Sequence, residues 1–136
     1  MTVTLPAVDA SSLTAPASSA APTRFTINVS SCELVSDSPS IVSVAFVPDG
    51  NVDASGNLRN LAGSGPQGVA VQILDNSQNP VNINTDTISA QQARGASTDM
   101  QGRPIALHYY AQYYSALGSA AAGAVSAIAN FRLVYE

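Results

Sequence analysis

The sequence predicts an all-β fold, an antiparallel β-sandwich, and three observations predict it. Apolar and polar residues alternate with a period of two in five separate runs along the 136 residues. Clusters of Gly, Pro, Asn, Asp and Ser separate the runs, as turns between short strands require. No convincing helical pattern interrupts them, because the Ala-rich stretch at 118–124 is short and lies between glycines. Several short strands without helices are typical of a β-sandwich.

The five predicted strands follow one another along the chain. Their inward, apolar positions are Phe25, Ile27 and Val29; Val42, Val44 and Phe46; Val69, Val71 and Ile73; Leu107, Tyr109, Ala111 and Tyr113; and Ala127, Ala129, Phe131, Leu133 and Tyr135. Two shorter strands are predicted at residues 2–5 and 80–83. Residues 6–22, rich in Ala, Ser and Pro, are predicted to form an exposed connection. The length fits one domain.

The composition points to a polar, nearly neutral surface. Charged residues make up 10% of the chain, against about 25% in typical globular proteins. This suits extracellular filaments and secreted β-domains. The net charge is -4, and the basic residues are scattered arginines: Arg24, Arg59, Arg94, Arg103 and Arg132. With no basic patch, no nucleic-acid binding is expected, and with no run of 18 apolar residues, no membrane insertion is expected.

The candidate chemistry-bearing residues do not form a catalytic or metal-binding pattern. His108 is the only histidine, and its strand phase predicts a solvated surface position. The Asp49–Asp53 stretch begins like a calcium loop but has Ala54 where that loop needs Gly, so a polar turn is predicted. The single Cys32 is either an inert buried thiol or a cysteine whose partner lies elsewhere. No enzyme and no cofactor are therefore expected.

The end of the chain has a physical peculiarity. Residues 123–136 are predicted to form one amphipathic strand, whose inward face begins with the small Ala127 and Ala129. Small side chains leave room beside them that something must fill. A final strand that ends the chain can also lack a neighbour on one edge, and an unpaired apolar edge is an aggregation hazard. One solution is that another chain supplies the missing strand.

Four segments resemble chaperone–usher pilus subunits. Gly123 and the penultimate Tyr135 fall where the C-terminal pilin motif has them. Residues 109–114 are similar to the pilin strand that reads aromatic-x-Ala-x-Tyr-aromatic, and residues 68–75 and 25–32 resemble two further pilin strands. The four occur in family order, and the likeness is greatest to major rod subunits of type 1 fimbriae. The alternatives are a minor or adaptor pilin, a pilin-type adhesin domain that binds a host glycan, or a secreted immunoglobulin-like binding module.

The resemblance implies a fold, partners and a route. The fold would be an incomplete immunoglobulin-like sandwich that lacks its last strand and is completed by a neighbouring subunit. A periplasmic chaperone would first lend a strand and hold the C-terminal carboxylate of Glu136. An outer-membrane usher would then assemble the polymer at the cell surface. The groove residues implied are Phe25, Ile27, Tyr109, Ala111, Tyr113, Gly123, Ala127, Ala129, Phe131, Leu133 and Tyr135.

Two family features are missing from the sequence. Pilins of this family begin with a donor extension and a first strand that carries the first cysteine. Cys32 would be half of the family disulfide, with its partner absent from the chain. The resemblance therefore implies an N-terminally shortened pilin domain over residues 1–136.

Overall fold

The computed structural model describes residues 3–7, 9–29, 41–62, 68–86, 98–99, 105–116, 118 and 124–135. A short 3-10 helix, Ala10–Leu13, precedes the strands. The strands are β1 (Ser18–Val29), β2 (Ile41–Phe46), β3 (Leu58–Arg59), β4 (Ala70–Leu74), β5 (Thr98–Asp99), β6 (Ile105–Ser115) and β7 (Phe131–Tyr135). The predicted all-β fold is confirmed.

The described strands form two antiparallel sheets. The larger has the order β1-β6-β4-β3 and the smaller the order β5-β2-β7. Their apolar faces enclose a core to which β6 contributes Leu107, Tyr109 and Ala111, at most 4% exposed, and β2 contributes Val44 and Phe46. The predicted alternation is confirmed in β6, where residues 106, 108 and 110 are more exposed than the three core residues between and after them. In β2 it is not seen in burial, because Ala45 is only 1% exposed as well.

The first strand is longer than predicted. Residues 18–22 belong to β1, so an exposed connection over residues 6–22 is wrong for this part. The register against β6 shifts between Ala20 and Thr23, and Ala21 has a φ of 56°. A bulge on an edge strand tolerates Pro22, which has no backbone N–H to donate. Leu13 of the 3-10 helix is buried as well.

The two short strands predicted at residues 2–5 and 80–83 are wrong where the structure describes them. Residues 3–5 form no strand, and Pro80 makes only an isolated bridge to Leu74. Val81 is nevertheless buried, and its backbone N–H donates to the Ile73 carbonyl. Strands β3 and β5 were not predicted, because two residues are too few to show an alternation.

The predicted single strand over residues 123–136 is also wrong. Only β7 is a strand, and it pairs with β2 from Phe46↔Phe131 to Val42↔Tyr135. Residues 124–130, here called the linking segment, belong to no strand, although the Asn130 carbonyl still accepts from the Val47 N–H just after β2. Ser126 accepts from the Leu61 N–H at 2.6 Å. The segment therefore runs from the end of β3 to the start of β7. Gly123 and Glu136 lie outside the described residues.

Candidate strand-binding groove

A groove of about 660 Å³ lies between the two sheets. Strands β1, β6, β4 and β3 of the larger sheet contribute to its lining, as do Phe46 of β2 and Phe131 of β7. The linking segment forms a further wall, and residues 3–5 lie at the groove as well. Of the residues predicted for a groove, those that line it are Phe25, Ile27, Ala111, Tyr113, Ala127, Ala129 and Phe131.

Within the described ranges, one edge of β7 has no strand paired to it beside this groove. Strand β2 pairs with β7 along one edge, and no other strand in the described ranges pairs with the opposite edge. Phe131 at the start of β7 remains 40% exposed, although its ring packs edge-on against Phe46 at 6.3 Å. The open edge therefore offers backbone hydrogen-bonding groups next to an apolar surface.

The linking segment keeps the groove wide. Val125, Ala127 and Ala129 are partly buried and pack against the core, whereas Ser126 and Ile128 are exposed. The alternation predicted for this segment is thus confirmed, although it is not a strand. Alanine methyl groups fill little of the space between the sheets, so the groove persists beside them.

The groove is open to solvent rather than an enclosed cavity. Without a partner it therefore holds water against its apolar lining. A partner that displaces this water gains the hydrophobic contribution.

Two lining residues, Val71 and Ile73 of β4, were predicted as inward strand positions but not among the residues of the groove. The structure places both at the groove as well as in the core. Phe46 and Leu58 also line it and were not predicted to do so. The alternation showed that Phe46, Val71 and Ile73 face inward, but it does not show which inward residues another layer leaves uncovered.

Tyr109 supports the groove from behind rather than lining it. Its ring stacks on Phe25 at 5.9 Å and meets Phe46 edge-on at 5.2 Å. Its hydroxyl is buried and forms no hydrogen bond with the residues that the structure describes. Burial, with a smaller effect of the Asp75 carboxylate, raises the pKa of Tyr109 to about 12. The ionised phenolate is therefore disfavoured in the folded state.

We expect Tyr109→Phe to raise the free energy of unfolding by about 1 kcal/mol, because a buried hydroxyl without a partner carries a desolvation penalty. The variant should also resist alkali better. The pKa of Tyr109 in the folded state lies above its unfolded value of 10.0. Ionisation of this tyrosine therefore does not affect the free energy of unfolding of the wild type below pH 10, and it lowers that free energy as the pH rises towards about 12. Urea unfolding at about pH 8 and about pH 11 measures both effects. The other four tyrosines are common to both proteins. An equal decrease in the free energy of unfolding between the two pH values in wild type and variant would therefore contradict this account.

Leu133 and Tyr135 occupy β7 positions opposite Val44 and Val42, two and four residues after Phe131.

His108 differs from its prediction of a solvated position, because it is partly buried. A hydrogen bond of 3.0 Å joins its Nδ1 to Thr26 Oγ1 on β1. The neighbouring edge strand therefore covers part of this imidazole.

The Asp49–Asp53 stretch is a polar turn, as predicted. Asp53 Oδ1 accepts from the N–H groups of Ser55 and Asn57. Asp49 accepts from Asn130 Nδ2 and from the Asn51 N–H, and these two hydrogen bonds hold the pKa of Asp49 below its usual value. The turn thereby anchors the end of the linking segment.

No metal or membrane feature accompanies the groove in the described ranges. They contain no group of three His, Cys, Asp or Glu side chains placed to share a metal ion. They also contain no helix with the length and hydropathy that a membrane span needs. Cys32 lies outside the part of the chain that the structure describes.

Comparisons with known proteins identify the class of protein to which this fold belongs. The family model described as "Fimbrial protein" matches residues 1–136. The chain belongs to the fimbrial protein family. It is a structural subunit of a bacterial surface fimbria that interacts with other pilus subunits, and this is not a family of enzymes.

Two curated relatives are similar in sequence. The F17 fimbrial protein of Escherichia coli is 34% identical over 149 residues, which cover 100% of this chain and 75% of the relative. The minor fimbrial subunit HifD of Haemophilus influenzae is 30% identical over 141 residues, which cover 99% of this chain and 63% of the relative. The chain therefore spans less than two thirds of HifD.

Solved structures share the fold. The P pilus rod subunit PapA superposes with a TM-score of 0.71 at 22% identity, over 100% of this chain and 92% of PapA. The Burkholderia pseudomallei antigen and type I fimbria protein BPSL1626 gives a TM-score of 0.65 at 24% identity, over 98% of this chain and 81% of that protein.

Proposed function

We propose that the groove accepts a β-strand from a neighbouring subunit and that this donor-strand exchange builds the fimbria. The observation that carries the proposal is the open edge of β7 beside the apolar groove. An extended segment could bond to the β7 backbone and place alternate side chains between the sheets. Phe25 and Ile27 of β1 would then contact those side chains from the opposite sheet.

The energy of this exchange comes from completing the core. Four or five apolar side chains entering the groove contribute about 8–12 kcal/mol of transfer free energy before ordering costs. Each backbone hydrogen bond to β7 adds about 1 kcal/mol. No nucleotide or enzyme is needed for a process that this burial drives.

The partners in the proposed route are those that the family resemblance implies. A periplasmic chaperone occupies the groove first and holds the chain end at Glu136, and an outer-membrane usher passes subunits to the growing fimbria. Cys32 is half of a structural disulfide in this proposal. A minor or adaptor role is the second candidate, favoured by the similarity to the minor subunit HifD.

A synthetic peptide with alternating apolar residues tests strand acceptance. The peptide is expected to raise the melting temperature of the purified chain by more than 10 °C, since each kcal/mol is worth about 2–8 °C in a domain of this size. The control is a peptide of the same composition whose apolar residues are clustered rather than alternating. A peptide that changes the melting temperature no more than this control would overturn the proposal.

A further inference from the structure

Arg132 stands alone on the strand that borders the groove. The preceding residue, Phe131, packs inward on Phe46, so Arg132 points to the outer face of the smaller sheet. Its neighbour across the paired edge is Ala45, which offers no charge. Arg132 is exposed, and its side chain makes no ion pair or hydrogen bond with the part of the chain that the structure describes.

The Asp49 carboxylate, which contacts Asn130 two residues before Arg132, already accepts other hydrogen bonds. Asp49 accepts hydrogen bonds from Asn130 Nδ2 and from the Asn51 N–H, as described above. The side of Arg132 away from Ala45 faces the open edge of β7. A residue of an incoming strand would lie directly beside Arg132 there, with Cβ atoms about 4.5–5.5 Å apart if the strand is antiparallel.

Arg132 is also one of several arginines on edge strands. The three described arginines, Arg24, Arg59 and Arg132, are exposed and lie on the edge strands β1, β3 and β7. Charges on edge strands oppose indiscriminate pairing with other chains. Strand β7 differs from the other two because its open edge must still admit one particular strand. A charge at such an edge can discriminate between strands.

We propose that Arg132 selects the incoming strand by charge, and this rests on the proposed strand acceptance in the groove. A strand with Asp or Glu at the outward position beside Arg132 is favoured, because the guanidinium can donate two parallel hydrogen bonds to a carboxylate. A strand with Lys or Arg at that position is disfavoured by like-charge repulsion. The inward apolar residues supply the affinity, and the outward residue supplies the discrimination.

The test uses three peptides with identical inward residues and with Glu, Gln or Lys at the outward position beside Arg132. For the wild-type chain, the Glu peptide is expected to bind about two- to fivefold more tightly than the Gln peptide, and the Lys peptide more weakly by a similar factor. Arg132→Glu should reverse the order. Added salt should shrink the differences. Calorimetric titration measures the affinities.

Two controls make the assignment specific. Moving the Glu along the peptide to each outward position in turn should reveal one position that gives the preference. Arg24→Glu, on the edge strand β1, should leave the preference of the wild type unchanged. Because Arg132 is exposed, its variants should keep the melting temperature of the wild type without peptide.

The outcomes separate the two proposals. If the alternating peptides bind with one affinity to wild type, Arg132→Glu and Arg132→Gln, charge selection is overturned while strand acceptance stands. If Arg132→Gln tightens all three peptides equally, Arg132 only blocks the edge, and charge selection is again overturned. If no alternating peptide binds, strand acceptance fails and the role of Arg132 fails with it.

Discussion

Replacing Ala127 and Ala129 together with phenylalanine is expected to abolish strand binding while the domain stays folded. Both alanines are partly buried on the wall of the groove. Two phenyl rings there would occupy the space that an incoming strand needs. Each ring that gains burial stabilises the domain by up to about 1.5–3 kcal/mol, so the melting temperature without peptide should stay or rise. Affinity for the alternating peptide should fall at least a hundredfold.

The matched control is Ala124→Phe. Ala124 lies in the same linking segment, but it is exposed and is not among the residues that line the groove. This variant adds the same apolar ring outside the groove, so peptide affinity should stay within about twofold of wild type. A double variant that still bound the peptide like the wild type would show that the space beside Ala127 and Ala129 is not where the strand lies.

Gly118→Ala is expected to destabilise the domain by about 2–4 kcal/mol. Gly118 has a φ of +72°, and a Cβ there would lie 2.5 Å from the Ala15 carbonyl carbon and 2.7 Å from the Thr14 oxygen. These are backbone atoms just before β1, and they cannot move without disturbing the bond from the Ala17 N–H to the Ala116 carbonyl. Urea unfolding of the two proteins measures the difference.

Gly50→Ala provides the comparison for this substitution. A Cβ at Gly50 would meet no atom within 4 Å, and its φ is not in the left-handed region. We expect a change of less than about 0.5 kcal/mol. Equal losses at Gly50 and Gly118 would mean that the close approach of residues 14–15 to Gly118 does not hold in solution.

The strands at the centre of the sheets were predictable. Leu107, Tyr109 and Ala111 are buried as their alternation requires, because β6 is paired on both edges and covered by the core. The first residues of β1 were not predictable. Ala21 and Pro22 suggest a loop by composition, and only the bulge on an edge strand reconciles them with pairing to β6.

The candidate site was predictable in part, and its limits have a physical cause. Alternation fixes which side chains face inward, so Phe25, Ile27 and Ala127 could be assigned to one face. It does not fix the partner of each backbone group. The alternation runs without a break from Ala127 into β7, yet the bonding partner changes from Leu61 at Ser126 to Val47, next to β2, at Asn130. Pairing depends on residues distant in sequence, and no local pattern reports it.

The aromatic rings in and behind the groove have a mechanical consequence. Phe25, Tyr109, Phe46 and Phe131 touch in succession and connect β1, β6, β2 and β7. A fimbria under tension pulls on each subunit where a neighbour is attached, and in the proposed assembly that place is β7. Force applied to β7 would pass through these rings into the larger sheet as well as through the backbone of β2. We therefore expect the two sheets to carry shear together rather than to slide apart.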